Sequence, residues 1–547
     1  MTSADVLIIG LGGAGGIAAD VLTAAGAEVL ALEAGPSLNT GDSRLDELAN
    51  DFQSRLSAPK ALAEAPTWRA DATAQAGPSP WPVLMVNAVG GSTVHYPGLS
   101  ARLHPWNFES RSRTLERYGS SAIPEGSTVV DWPLSYEDLE PAYGAVERAI
   151  GVAGAETSTF GGPRSSPYPL PPLRRSGWTE LTSDAAGALG WHPFPAPAAI
   201  NSEPYNGNPQ CTYCGFCSGN VCHRDAKGST DVTVIRRALA TGRLRILTGA
   251  RVTRIDTGAD GLASGATFVA EGREASVTAG CVMLATFTYE NVRLLLLSRS
   301  PAHPAGLANG AGQVGRHYMA HVTPFVFGLF PGRNLALHTG PWAQATCVED
   351  WNGDNFDHAG LGFIGGALLV APHELRPVAL ARAPVPEGVP RWGAGWKAWL
   401  REHAQSIGYI SAQMECLPYD EHVLDLDPLA RDPFGIPRVR ITHRMRANEL
   451  AGASFMVQRM AQWLDAAGAA RTWHAPSPMV EARHCYGGTR MGTDPADSVV
   501  DAHGFAHEVP NLAILGTSTF PTTGGHNPTL TLQALAWRTA ARWAARA

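Results

Sequence analysis

Apolar residues come in short unbroken runs at the start of the chain and loosen into alternation later. Val6 to Ile9 form the first run, the pattern of a strand buried on both faces. An Ala- and Leu-rich stretch with helical spacing follows, and a second run from Glu28 to Leu32 completes a strand–helix–strand unit. Residues 40–80 read as a surface excursion with helical pieces. DWPLSYEDLEPAYGAVERAIGV (131–152) predicts an amphipathic helix, with Ser135 as N-cap and Asp138 placed close to a capping box. Residues 155–210, rich in Pro, Gly and Ser, predict a long loop. Residues 229–256 read as helix, turn, strand, strand, and 282–298 as a strand running into a helix. Between 330 and 478 the alternation predicts a separate, partly antiparallel sheet region. The chain ends as a helix, with Asn527 as N-cap and Pro528 at the first helical position.

The glycines sharpen the first unit. Gly10, Gly12 and Gly15 form G-x-G-x-x-G between strand and helix, and Glu33 closes the second strand 23 residues after Gly10. Such glycines make a tight turn and let the backbone approach a pyrophosphate, which the helix N-terminus then attracts. An acid at the end of the second strand binds a ribose hydroxyl. The unit predicts an α/β dinucleotide-binding fold.

Composition excludes more than it assigns. With 547 residues, 44% hydrophobic and 17% charged, the chain can bury a large core. A net charge of −7 gives no footprint for nucleic acid. No run of 18 apolar residues predicts a membrane span, and the first strand starts too near Met1 to leave room for a secretory signal. The chain alone therefore reads as cytoplasmic. No G-x-x-x-x-G-K-[ST], H-E-x-x-H or G-x-S-x-G occurs, so NTPase, zincin and α/β-hydrolase chemistry lack support.

Cysteine use is uneven. Four of eight cysteines, Cys211, Cys214, Cys217 and Cys222, fall in QCTYCGFCSGNVCHRDAKGST. Consecutive x2 spacings suit an Fe–S cluster, which needs a short loop wrapping several corners. Zinc more often takes two C-x2-C pairs or Cys with His, and free thiols or disulfides are the third alternative.

Three further stretches carry candidate chemistry. His484 precedes a Gly–Gly pair, where a chain can pack against a flat ligand. His95 follows paired glycines in NAVGGSTVHYPG. The helix opened by Asn527 and Pro528 can aim its N-terminus at an anion or a polarised ring. Taken singly, each also reads as a structural histidine or an ordinary capped helix.

Their order resolves the matter. ADVLIIGLGGAGG…LEAG, NAVGGSTVHY, LATFTYENVRLLLLS, HCYGGTRMGTDPADSVVD and FPTTGGHNPTLTLQALA together resemble the glucose–methanol–choline (GMC) oxidoreductases, FAD-dependent enzymes that oxidise alcohols. CTYCGFCSGNVC is similar to the branch holding the large subunits of gluconate, sorbitol and fructose dehydrogenases. The resemblance implies a discontinuous Rossmann-type FAD-binding domain (1–40, 81–110, 205–325 and 480–547). A substrate domain on a mixed or antiparallel sheet covered by helices would take 111–204 and 326–479.

The resemblance also implies roles. His484 is the catalytic base for a sugar, polyol or glycoside hydroxyl, and Asn527 hydrogen-bonds the developing alkoxide while hydride passes to flavin N5. His526 departs from the family pattern and is a pocket wall or a second polar contact. FAD would be held by Gly10, Gly12, Gly13, Gly15 and Glu33, and by Gly90, Gly91, Ser92 and His95 of the second loop. Val252, Asn527, Pro528 and Thr529 complete that set. Some members link FAD covalently at the position of His95.

An Fe–S cluster on the four cysteines would pass electrons singly to a haem or quinone acceptor. A small helper subunit could then carry the signal for export. No C-x-x-C-H occurs, so any haem belongs to a partner. The rivals are an O2-dependent alcohol oxidase with structural cysteines, and a non-catalytic FAD or electron-transfer subunit.

Overall fold

The computed structural model describes residues 3–546, the side chains at 481 and 482 excepted. Its first sheet is built round strand β1 (Ser3–Ile9). Strands Val29–Leu32 and Arg273–Leu284 flank β1 in parallel, Leu244–Leu247 lies beyond the first, and Leu512–Ile514 pairs with the second. The outer half of Arg273–Leu284 also carries an antiparallel pair, Ala263–Ala270 and Arg251–Thr257. Helix α1 (Gly13–Ala24) covers this sheet. A Cβ on Gly15 would lie 2.1 Å from the Gly10 carbonyl oxygen, so only glycine lets the helix seat against the turn.

The second sheet has eight strands, and its pairings are antiparallel. Strand β2 (Met319–Thr323) joins β3 (Ile407–Met414) to β4 (Met479–Tyr486). β2 and the body of β4 fall in stretches that the sequence assigns to the first domain, yet they pair within the second sheet. β2 is buried throughout, so it shows no inside–outside alternation to reveal its sheet. Helix Ala447–Ala466 covers this sheet with Met456, Met460 and Trp463.

Three local expectations change. The predicted loop 155–210 contains a helix, Gly177–Ala188, capped by Ser176. Its Trp178 is buried against Gly408, where a Cβ would lie 2.4 Å from the ring, so one large apolar contact outweighs the Gly- and Pro-rich surroundings. Within 40–80, Thr67–Arg69 pairs in parallel with Pro437–Thr442 in a small third sheet. The C-terminal helix α2 (Thr529–Ala544) begins after Pro528, and no side chain caps it, so Asn527 is not its N-cap. The helix at 131–152 runs from Tyr136 to Ile150, with the capping box of Ser135 and Asp138 formed.

Candidate active site

A cavity of about 620 Å³ runs between the two sheets. At one end it is lined by Gly10, Gly12, Gly13 and Glu33 of the first unit, and by Gly91, Ser92, His95 and Val252. Gly91 has φ +53°, and a Cβ there would meet Gly12 Cα at 2.8 Å, so two loops close to backbone distance. That cradle suits a pyrophosphate. Glu33 accepts N–H bonds from Leu11 and Gly35, each 2.9 Å, and keeps lone pairs for a ribose. Gly15 and Gly90 shape the loops without lining the cavity. His95 lines it with Nε2 buried and unpartnered. Burial, then Lys227 and Arg483, push its pKa down to about 3.

At the other end stand His484 on β4 and Asn527, Pro528 and Thr529 at the start of α2. Asn527 Nδ2 lies 3.4 Å from His484 Nε2. Because the Asn527 side chain does not cap the helix, its amide is available to this pair. Behind His484 is His321 of β2, wholly buried, with Nδ1 3.2 Å from His484 Nδ1. His321 Nε2 lies 2.8 Å from the Gly524 carbonyl oxygen and 3.1 Å from the Tyr486 hydroxyl.

Polar atoms without protein partners cluster around this pair. Thr323 Oγ1, Ser411 Oγ, Gln413 Oε1 and Asn527 Oδ1 are buried, make no hydrogen bond, and belong to residues that line the cavity. A buried unsatisfied group costs roughly 1–3 kcal/mol, so these four, all lining one cavity, suit a polar ligand. Sequence reading missed His321, Thr323, Ser411 and Gln413. They are polar residues in two buried strands, and that incongruity was the only available signal.

His526 does not line the cavity, which removes it as a pocket wall. Its Nε2 meets Glu349 Oε2 at 2.8 Å, and His104 Nε2 meets the same oxygen at 2.6 Å. Ser158 donates to Glu349 Oε1 at 2.6 Å. Burial alone would raise the Glu349 carboxyl, but His104 and His526 hold it well below the usual range. Two ligands on one zinc stand about 3.3 Å apart. The shorter separations here are those of hydrogen bonds, so the group clamps the loop before α2.

The cysteine loop lies against the same cavity. Ser218 and Gly219 line it, and Gly219 donates to the His95 carbonyl at 3.0 Å. Lys227, buried beneath the loop, donates from Nζ to the Cys217 and Asn220 carbonyls, each at 2.9 Å. Among the described residues, no three of the four sulfurs lie within 4.8 Å of one another. A tetrathiolate zinc site needs about 3.8 Å, so the loop lacks that geometry. Burial pushes the Cys211 thiol up to about 11 and the Cys217 thiol higher.

Known proteins resemble the chain over its whole length. The GMC oxidoreductase family model matches residues 418–536. The gluconate 2-dehydrogenase flavoprotein of Pantoea cypripedii is 32% identical over 99% of this chain and 93% of its own. The fructose dehydrogenase large subunit of Gluconobacter japonicus is 27% identical over 98% of this chain and 97% of its own. The pyridoxine 4-oxidase of Mesorbium loti shares the fold, with TM-score 0.61, 18% identity, and 98% and 99% of the two chains covered.

Proposed function

The chain belongs to the GMC oxidoreductases, FAD-dependent enzymes acting on alcohol and sugar hydroxyls, and from that premise we propose that it is a dehydrogenase for a polyhydroxylated alcohol or sugar. The observation that carries the reading is the His484–Asn527 pair, set in the same cavity as the dinucleotide loops. His484 Nε2 takes the hydroxyl proton, and the Asn527 amide donates to the oxygen as charge develops on it. Bound FAD supplies the hydride acceptor. Gly12, Gly91 and Glu33 hold its pyrophosphate and ribose, and any covalent link to it runs through His95.

The unpartnered wall atoms support a substrate with several hydroxyls. Gln413→Leu is expected to lower kcat/KM for a sugar or polyol about 10–100-fold. A simple primary alcohol should lose little. Equal losses on both would remove Gln413 from substrate recognition.

Electron transfer to an external acceptor is the finer part of the proposal. The loop of Cys211, Cys214, Cys217 and Cys222 backs onto the cavity, where an Fe–S cluster would sit close to the flavin, and the buried Lys227 charge offsets thiolate charge. A haem or quinone partner, and a helper subunit such as accompanies a "large subunit", fit this reading. Anaerobically purified protein is expected to hold about three or four irons and matching acid-labile sulfide per FAD. Iron-free protein whose reduced flavin reoxidises rapidly in air would instead be an oxidase with a structural cysteine loop.

A further inference from the structure

No motif marks His321, a buried residue of β2. Its two ring nitrogens have different neighbours. Nε2 faces the Gly524 carbonyl oxygen at 2.8 Å, an atom that only accepts, so Nε2 carries the proton. Nδ1 is then an acceptor. Across 3.2 Å from it stands Nδ1 of His484. Two bare lone pairs facing each other at that distance would repel, so His484 Nδ1 carries the proton and donates it to His321. The lone pair of His484 is left on Nε2, the nitrogen facing Asn527.

We propose that His321 is a positioning residue that fixes the tautomer of His484, so that the nitrogen turned toward substrate is always the basic one. The proposal rests on the reading of His484 as the base. The Gly524 carbonyl sets His321, and His321 sets His484. A neutral imidazole also differs from a carboxylate in this place. A carboxylate would stabilise the imidazolium and favour a protonated, inactive base near neutral pH. His321 orients the ring without adding negative charge to the site.

Three further side chains stand near the pair. The Tyr486 hydroxyl lies 3.1 Å and 3.4 Å from the two His321 nitrogens, with the rings tilted by 45°, so it packs along the ring edge. Glu415 accepts from the Gly524 N–H, which belongs to the preceding peptide and leaves the carbonyl to His321. Asn527 approaches the opposite nitrogen of His484.

The test uses the FAD-loaded full chain with two variants, and protein labelled with ¹⁵N at histidine. Long-range ¹H–¹⁵N spectra of the unmutated protein should place the His484 proton on Nδ1. His321→Leu removes the acceptor. It should cut the anaerobic rate of flavin reduction at least about 100-fold, with wrong tautomers at comparable dyads costing up to about 10⁴. It should also move the His484 signals toward the other tautomer and change KM little.

His321→Asn keeps an acceptor where Nδ1 was, with its amide nitrogen in the place of ring Cδ2 and short of the Gly524 carbonyl. It should recover the rate to within about tenfold of the unmutated protein. A proton on His484 Nε2 in the unmutated protein would overturn the proposal. So would an undiminished rate in His321→Leu, or an Asn variant as slow as the Leu variant with an unchanged tautomer. If His321→Leu fails to fold, the spectra and the Asn variant still decide. Should His484→Ala itself retain activity, the base assignment falls first. If His484→Ala is inactive while His321→Leu is normal, only the positioning role falls.

Discussion

Flavin reduction by substrate is expected to slow about 10³-fold in His484→Ala, within the range a positioned general base supplies. Substrate affinity should change little, because the polar wall of Thr323, Ser411 and Gln413 stays in place. His95 lines the cavity too, but with its pKa pushed down to about 3 it is a poor proton acceptor. His526 is committed to Glu349. Stopped-flow absorbance under anaerobic conditions measures the step directly, free of acceptor turnover. Added imidazole should restore part of the rate by occupying the space left in the variant. Reduction within tenfold of the unmutated rate would remove His484 from proton transfer.

Acid should unfold the protein within a narrow range. Burial, aided by nearby arginines, pushes the pKa of His317 and of His422 down to about 3, and burial pushes that of His373 to about 4. These rings are neutral in the fold, whereas in the unfolded chain they gain protons below the ordinary value of 6.5. The unfolded state therefore binds more protons, and stability is lost as pH falls. Each ring contributes about 1.4 kcal/mol per pH unit. Three rings over about 2.5 units amount to roughly 10 kcal/mol, which rivals the total stability of a typical domain.

Glu415 works in the opposite sense. Burial raises its pKa to about 7, so its folded form holds a proton that the unfolded form releases. That offsets about 3 kcal/mol. Among the described groups, nine histidines shift down against five carboxyls that shift up, so the loss wins. A midpoint between about pH 4 and 5 is expected by circular dichroism at constant ionic strength. A native signal persisting at pH 4 would mean that these rings take up protons within the fold.

The dinucleotide unit was legible because its signal is local. The strand, the turn glycines, the helix and Glu33 lie within 33 residues and repeat one geometry. His484 and Asn527 were legible through their flanking motifs. His321 was not, because its meaning arises only when β2 pairs with β4, and Met319–Thr323 otherwise reads as an ordinary buried strand. Ser411 and Gln413 were hidden for the same reason in β3. Asn527 shows the converse error: a residue well suited to capping a helix leaves that duty undone and turns to His484. His526 attracted attention by adjacency, but adjacent residues leaving an irregular segment point in different directions.

That irregular segment, Gly524 to Asn527, has an evolutionary consequence. Gly524 offers its carbonyl to His321, and a side chain there would run into Leu103. Gly525 accepts from Leu368, and a Cβ would lie 2.2 Å from Asn352 Oδ1. His526 holds Glu349, and Asn527 meets His484. Four successive positions each answer to a different part of the molecule. An insertion or deletion there would break several of these ties at once, and no single compensating change could restore them. The wall residues on β2 and β3 carry no such shared obligation. A change in what this chain oxidises is therefore easier to reach through the wall residues than through the length of the four-residue segment.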